Sequence, residues 1–198
     1  MSERPSTAVL GFRPHTYWTA VVALAGPPEA PQVLERRRLV FATGAERFVY
    51  HQAETLDLRS AQALLDTVRA ATEANAAREI GTLVADLERD GVAVRAAVTA
   101  AATAKLAGSL AAILKSHAQM HAAEGSFYRD VVAQACAALG LQVHRVAERD
   151  MPRQVCGLLH VDSPALEAQL KAIGAALGPP WSEDYRLATE AAWTQLDS

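Results

Sequence analysis

Residues Val9–Leu24 read VLGFRPHTYWTAVVAL. Two apolar runs, Val9–Phe12 and Trp18–Leu24, flank a compact polar turn of Arg13, Pro14, His15 and Thr16. That spacing predicts a strand, a tight turn and a second strand. The first run has apolar residues at consecutive positions, as a strand covered on both faces requires, so it is expected at the centre of a sheet. Gly26-Pro27-Pro28 ends the second strand.

Reading outward, Gln32–Phe41 (QVLERRRLVF) is a third extended segment, and Glu46–Gln52 (ERFVYHQ) is expected to continue the meander. The period then changes. Leu64, Leu65, Val68, Ala71, Ile80, Leu83, Val84 and Leu87 recur at helical spacing, which predicts a helix over Leu58–Arg89. Asp57 is its expected N-cap, Gly91 its stop, and Glu73-Ala74-Asn75 a place for a bend. Val92–Thr99 and Leu141–Ala147 read as strands, with a second long helix between them from about Leu106 to Leu139. Pro152–Leu159, Pro164–Leu177 and Trp181–Leu196 read as helices, the last two divided by Gly178-Pro179-Pro180.

The resulting order is β-β-β-α-β-α-β-α. It predicts an α/β fold: an open, mixed, five-stranded sheet flanked by helices, with right-handed crossovers. The Val92–Thr99 strand should run parallel beside the first. Residues 1–198 are expected to form a single domain whose part from 150 to 198 is helical.

Composition narrows the function classes. The chain has 198 residues, a formal net charge of -3 and 51% hydrophobic residues, which excludes a disordered chain. The mildly acidic balance lacks the basic signature of most nucleic-acid binders, so any such role would rest on local clusters. The two cysteines, Cys136 and Cys156, form no CxxC pair, and a reduced, cytoplasmic setting is expected. Met1–Thr7 is polar and contains Pro5, unlike a signal peptide. No apolar run approaches the roughly 20 residues of a membrane helix, so no membrane partner is expected.

Two stretches carry a family resemblance. VLGFRPHTYWTAVVAL resembles the first hairpin of the RuvC-type Holliday-junction resolvases of the ribonuclease H-like superfamily, whose pattern is an apolar run, Gly, an apolar residue, Asp, Pro, Gly, then a second apolar strand. GPPWSEDYRLATEAAW, Gly178–Trp193, is similar to that family's last helix, which opens on an acid and continues rich in alanine. The resemblance implies a ribonuclease H-like sheet of order 3-2-1-4-5. It also implies a cage of three or four carboxylates around two divalent ions, Mg2+ or Mn2+. The family's first-strand aspartate falls on Arg13. Its central-strand glutamate falls near Ala96–Thr99, where there is no acid. The first acid of the last helix falls on Asp184 or its neighbour Glu183, and a second acid one turn on falls on Leu187. The resemblance therefore implies the fold and speaks against the family's chemistry, and an Arg13 pair with Asp184 or Glu183 is expected in place of the metal. The actin-like ATPases share the fold and hold phosphate in the first hairpin. Thr16 matches their threonine, while Arg13 again replaces their acid.

Other residue sets carry weaker signals. The turn offers Arg13, His15 and Thr16 as binding residues. Lys105, in TAAATAKLAGS, precedes a helix but lacks the glycines of a phosphate loop. His117, His121 and Glu124 share one helix face, suited to a transition metal, a non-metal polar site or simply a solvated surface. Arg36 and Arg38 lie on one side of a strand and Arg37 on the other; solubilising an edge strand is the favoured role and phosphate binding the alternative. Trp18, Trp181 and Trp193 are expected in packing roles.

The favoured function is a ribonuclease H-like binding or accessory module without metal-dependent cleavage, linked to a nucleic acid, a nucleotide, a protein partner or a second copy. The alternatives are an enzyme of altered chemistry using the His117, His121, Glu124 face with Asp184 or Glu183, and a divergent nuclease retaining Mg2+ or Mn2+.

Overall fold

A computed structural model describes residues 7–101 and 105–196; the polar N-terminal residues 1–6 and part of the segment before Lys105 lie outside them. Five strands form one sheet: β1 (Thr7–Pro14), β2 (Trp18–Ala25), β3 (Gln32–Val40), β4 (Ala93–Ala100) and β5 (Gln142–Val146). Their order is β3-β2-β1-β4-β5. β1 pairs antiparallel with β2 and parallel with β4, and β5 continues the parallel half. This is the expected mixed sheet, with the opening strand at its centre.

Seven helices follow in chain order: α1 (Val49–Ala53), α2 (Leu58–Arg89), α3 (Leu110–Leu114), α4 (His117–Ala138), α5 (Met151–Leu159), α6 (Ser163–Leu177) and α7 (Glu183–Trp193). Alternation along β1 divides the core between the two sheet faces. Leu10 and Phe12 join Ile80, Leu83, Phe127 and Val131 on the face covered by α2 and α4. Val9 joins Val98, Leu166, Leu170, Ala188 and Trp193 on the face covered by α5, α6 and α7. Trp193 is fully buried there, and its indole N–H donates to Pro28 O at 3.0 Å, which satisfies its one polar group.

Two expectations need correction. The segment Glu46–Gln52 is no strand: a 3-10 turn at Gly44–Phe48 runs into α1. α2 is continuous through Glu73-Ala74-Asn75, where Asn75 sends its side-chain amide to Phe41 O at 3.0 Å and ties the helix to the end of β3. The helix expected from Leu106 to Leu139 is two helices, because Ser116 breaks the backbone path and caps α4 through Gln119 N. The expected cap of α2 holds, with Asp57 accepting from Arg59 N and Ser60 N.

Gly11 sets the approach of the last helix. A Cβ at this position would overlap the Ala188 carbonyl oxygen and stand 2.6 Å from Ala192 N. Only glycine on β1 and small residues on α7 allow that contact. Gly11→Ala is therefore expected to lower stability by roughly 2–3 kcal/mol, the upper range of overpacking, in urea unfolding. A change within about 0.5 kcal/mol would mean that the helix shifts at no cost.

Deep in the same layer, burial raises the Glu190 carboxyl from 4.5 to about 7, with Arg186 opposing and Glu167 adding to the shift. Its Oε2 has no hydrogen-bond partner among the described residues. Between these two values the folded chain keeps a proton that the unfolded chain has lost, so stability falls as pH rises through that window. Below it, both states are protonated and the penalty vanishes. Thermal melts of wild type and Glu190→Gln should therefore diverge in favour of the variant between about pH 5 and pH 7, at about 1.4 kcal/mol per pH unit. A pH-independent difference would show that the carboxylate is already ionised in the fold.

Candidate functional site

The hairpin turn closes with His15 N–H on Trp18 O at 2.8 Å, and Tyr17 takes a left-handed backbone at φ 64. Tyr17 O then accepts from Phe41 N at 2.8 Å, which anchors the turn to the residue after β3. The turn thus presents Arg13 and His15 at the C-terminal end of the central strand.

Their partners differ from the expected ones. Asp184, at the start of α7, is held by His15: Nε2 lies 2.6 Å from Asp184 Oδ1. The His15 ring stacks on Trp18 at 4.2 Å, and Arg38 lies over the same indole with Cζ 4.1 Å from its centroid. Trp18 is therefore half-buried in a polar stack, which corrects the expectation of core packing. Trp181 packs on α6, where a Cβ at Gly174 would overlap its indole. Trp18, Arg38, Asp184 and Tyr185 line a cavity of about 240 Å³. Glu183 is exposed and points to no partner in this set.

Arg13 pairs instead with Glu148, Nη1 to Oε1 at 3.2 Å. Glu148 follows β5 and opens the 3-10 turn Glu148–Asp150 that leads into α5. Arg129 of α4 approaches the same oxygen at 3.9 Å, beyond hydrogen-bond reach. Gly125, one turn earlier on α4, leaves room for that guanidinium, since a Cβ there would stand 3.0 Å from Nη1. Burial lowers the Arg129 pKa; Glu148 opposes the shift and Arg13 reinforces it. Nε of both arginines is buried with no acceptor among the described residues. Ala101, Arg129, Glu148 and Arg149 line a cavity of about 380 Å³ beside them.

Thr99 stands on β4 next to Phe12 of β1, within the stretch where the resemblance places a glutamate, and its buried hydroxyl has no partner. The set Arg13, Thr99, Asp184 and Leu187 does not fit a pair of divalent ions. Only one member is a carboxylate, and His15 occupies it.

No protein-family model matches the chain, and no curated protein does. Solved structures do match. Thermus thermophilus RuvC is similar at a TM-score of 0.52 and 11% identity over 94% of this chain and 92% of that one. T. thermophilus RuvC in complex with Holliday junction substrate is similar at a TM-score of 0.51 and 11% identity, over 95% and 91%. The chain has the ribonuclease H-like fold of RuvC. In that fold the ends of β1 and β4 and the start of α7 meet, which is why residues so distant in sequence converge here.

Of the binding residues expected from sequence, Arg13 and His15 belong to this convergence, while Thr16 is half-buried in the turn and Lys105 is exposed away from both cavities. His117 and His121 are exposed at the start of α4, but Glu124 is buried, only 2% accessible, and accordingly does not share their open face. Its carboxylate meets His51 of α1, Oε1 to Nδ1 at 2.8 Å. Arg36 and Arg37 are engaged within the chain: Arg36 donates to Gly178 O at 2.9 Å, and Arg37 to Asp86 at 2.7 Å. Arg38, on the same side of β3 as Arg36, lies over Trp18. Sequence reasoning missed Glu148, Arg129 and His51, none of which stands in a local motif.

Glu148 separates two guanidiniums in a partly desolvated place. Glu148→Ala is expected to destabilise by roughly 1–3 kcal/mol, because it leaves like charges facing each other. Adding Arg129→Ala should recover part of that loss in a double-mutant cycle. Strict additivity would mean that the three groups do not interact.

Proposed function

We propose that this ribonuclease H-like domain binds the phosphate backbone of a nucleic acid at the ends of β1, β4 and β5, without metal-dependent cleavage. The observation that carries the reading is Arg129: a half-buried guanidinium, short of hydrogen-bond acceptors, on the wall of a 380 Å³ cavity that also holds Arg149. With Arg13 behind it, two guanidiniums face one carboxylate, Glu148, and Arg149 lines the same cavity. A phosphate supplies the missing acceptors, and an arginine fork matches its oxygens in pairs. In the fold's nucleases this position is occupied by carboxylates that need cations to approach phosphate. Here the protein's own cations take that place, so binding requires no metal and the means of activating water is lost.

A RuvC of this fold is seen with a Holliday junction substrate, which makes branched DNA the first ligand to try. Labelled four-way and duplex DNA should bind in fluorescence anisotropy with an affinity that falls as salt rises. Arg129→Ala and Arg149→Ala should each weaken binding roughly tenfold and reduce the salt slope by about one. No product should form with Mg2+ or Mn2+. Absence of binding to any nucleic acid would overturn the proposal, and metal-dependent cleavage would overturn its non-catalytic part.

A further inference from the structure

A second polar cluster lies apart from the arginine cavity. His51 comes from α1, and His117 and His121 from successive turns of α4. One ligand nitrogen from each lies within 4.8 Å of the other two. His117 Nε2 and His121 Nε2 are 3.0 Å apart. The rings meet nearly edge to face, His117 with His121 at 84° and His51 with His117 at 81°, so that they converge instead of stacking.

Behind them is a buried acid. Glu124 is only 2% accessible, and its Oε1 meets His51 Nδ1 at 2.8 Å. A carboxylate that accepts from Nδ1–H fixes the other nitrogen, Nε2, as the one with a free lone pair. That is the support a metal-binding imidazole commonly has. The second Glu124 oxygen stands 3.9 Å from His121 Nδ1. One buried negative charge therefore backs two of the three rings, and a divalent cation in front of them would balance it.

We propose that His51, His117 and His121 bind one divalent transition metal ion, Zn2+, through three imidazole nitrogens, with Glu124 as the supporting carboxylate and solvent in the fourth position. Tetrahedral ligands about 2.0–2.1 Å from zinc stand about 3.3 Å from one another. The His117–His121 pair already has nearly that separation, and a small inward turn of His51 completes the set. Imidazole donors favour zinc and its neighbours over Mg2+ or Mn2+, so this site is chemically distinct from a two-ion nuclease cage. His117 and His121 are exposed, which gives the ion an entry path. Bound metal would tie the five-residue α1 to the start of α4, two short-range elements that otherwise meet through few side chains.

Tag-free protein is equilibrated with Zn2+, freed of excess by gel filtration and assayed for metal. One ion per chain is expected. Co2+ should give the visible absorption of a four-coordinate site without a sulfur charge-transfer band, since neither cysteine takes part. His51→Ala and His121→Gln should each weaken Zn2+ affinity at least about a hundredfold, and Glu124→Gln about ten- to a hundredfold. His121 is 57% exposed, so its variant should fold even where the other two do not. Failure to retain zinc, or retention unaffected by His121→Gln, would overturn the proposal and leave a hydrogen-bonded histidine pair. The readout is independent of DNA, so this result and the phosphate reading stand or fall separately.

Discussion

The approach of α7 to β1 at Gly11 is the constraint on which the site depends. Backbone meets backbone there: the Ala188 carbonyl and the Ala192 amide fill the space a side chain would take. That fixes the height of the helix on the sheet, and so brings Asp184 beside the turn that carries Arg13 and His15. It also explains the alanine-rich composition of α7. A helix this close to a strand can carry chemistry only where it has left the contact, in its first turn, and Asp184 stands there. The cost falls on Glu190, which the same packing buries against its ionised form.

Charge at the strand ends then decides what the fold can do. A carboxylate cage and an arginine cluster are opposite answers to the same ligand. The cage must recruit cations before a phosphate can approach, and those cations also activate water. In the proposed reading, the cluster attracts phosphate directly and offers no such activation. Glu148 keeps the cluster from disrupting the fold: it screens Arg13 from Arg129 at 3.2 and 3.9 Å. One acid between two bases leaves a net positive site inside a chain whose overall charge is -3.

Much of the fold was legible because it is local. Alternation in Val9–Leu24, the period of Leu64 to Leu87 and the glycines after helices each report on neighbouring residues. What failed also has local causes. Glu46–Gln52 carries β-formers such as Val49 and Tyr50, yet the 3-10 turn before it and packing on α2 and α4 make it helical. Ser116 inside an alanine-rich run gives no composition signal, although its hydroxyl ends one helix path and caps the next. At the site, Arg13 was legible as a replacement for an acid, but its partner was not. Asp184 and Glu148 are both acids near a helix start, and only the height of α7 assigns the first to His15. His51 was invisible because it lies 73 residues from the Glu124 it contacts.

The two polar clusters share a carrier, and the reason is geometric. α4 packs on the sheet through Met120, Phe127, Tyr128 and Val131, large side chains that hold its axis away from the strands. The space this leaves is where Arg129 reaches Glu148 and where Glu124 reaches His51. α7, held by Gly11 against the strand, has no such space. In this chain one helix on the sheet is made of small residues where it meets β1, and another carries the polar groups. Arg13 and Leu187 stand at positions on the tight side where the resemblance places acids, and the polar groups gather on the loose side. The polar side chains of α4 lie off that packing face: Glu124 meets His51 of the short α1, and Arg129 approaches Glu148 after β5. The proposed phosphate site uses that separation: a guanidinium must reach the strand ends from a helix far enough away to accommodate its length, as Arg129 does from α4 toward Glu148.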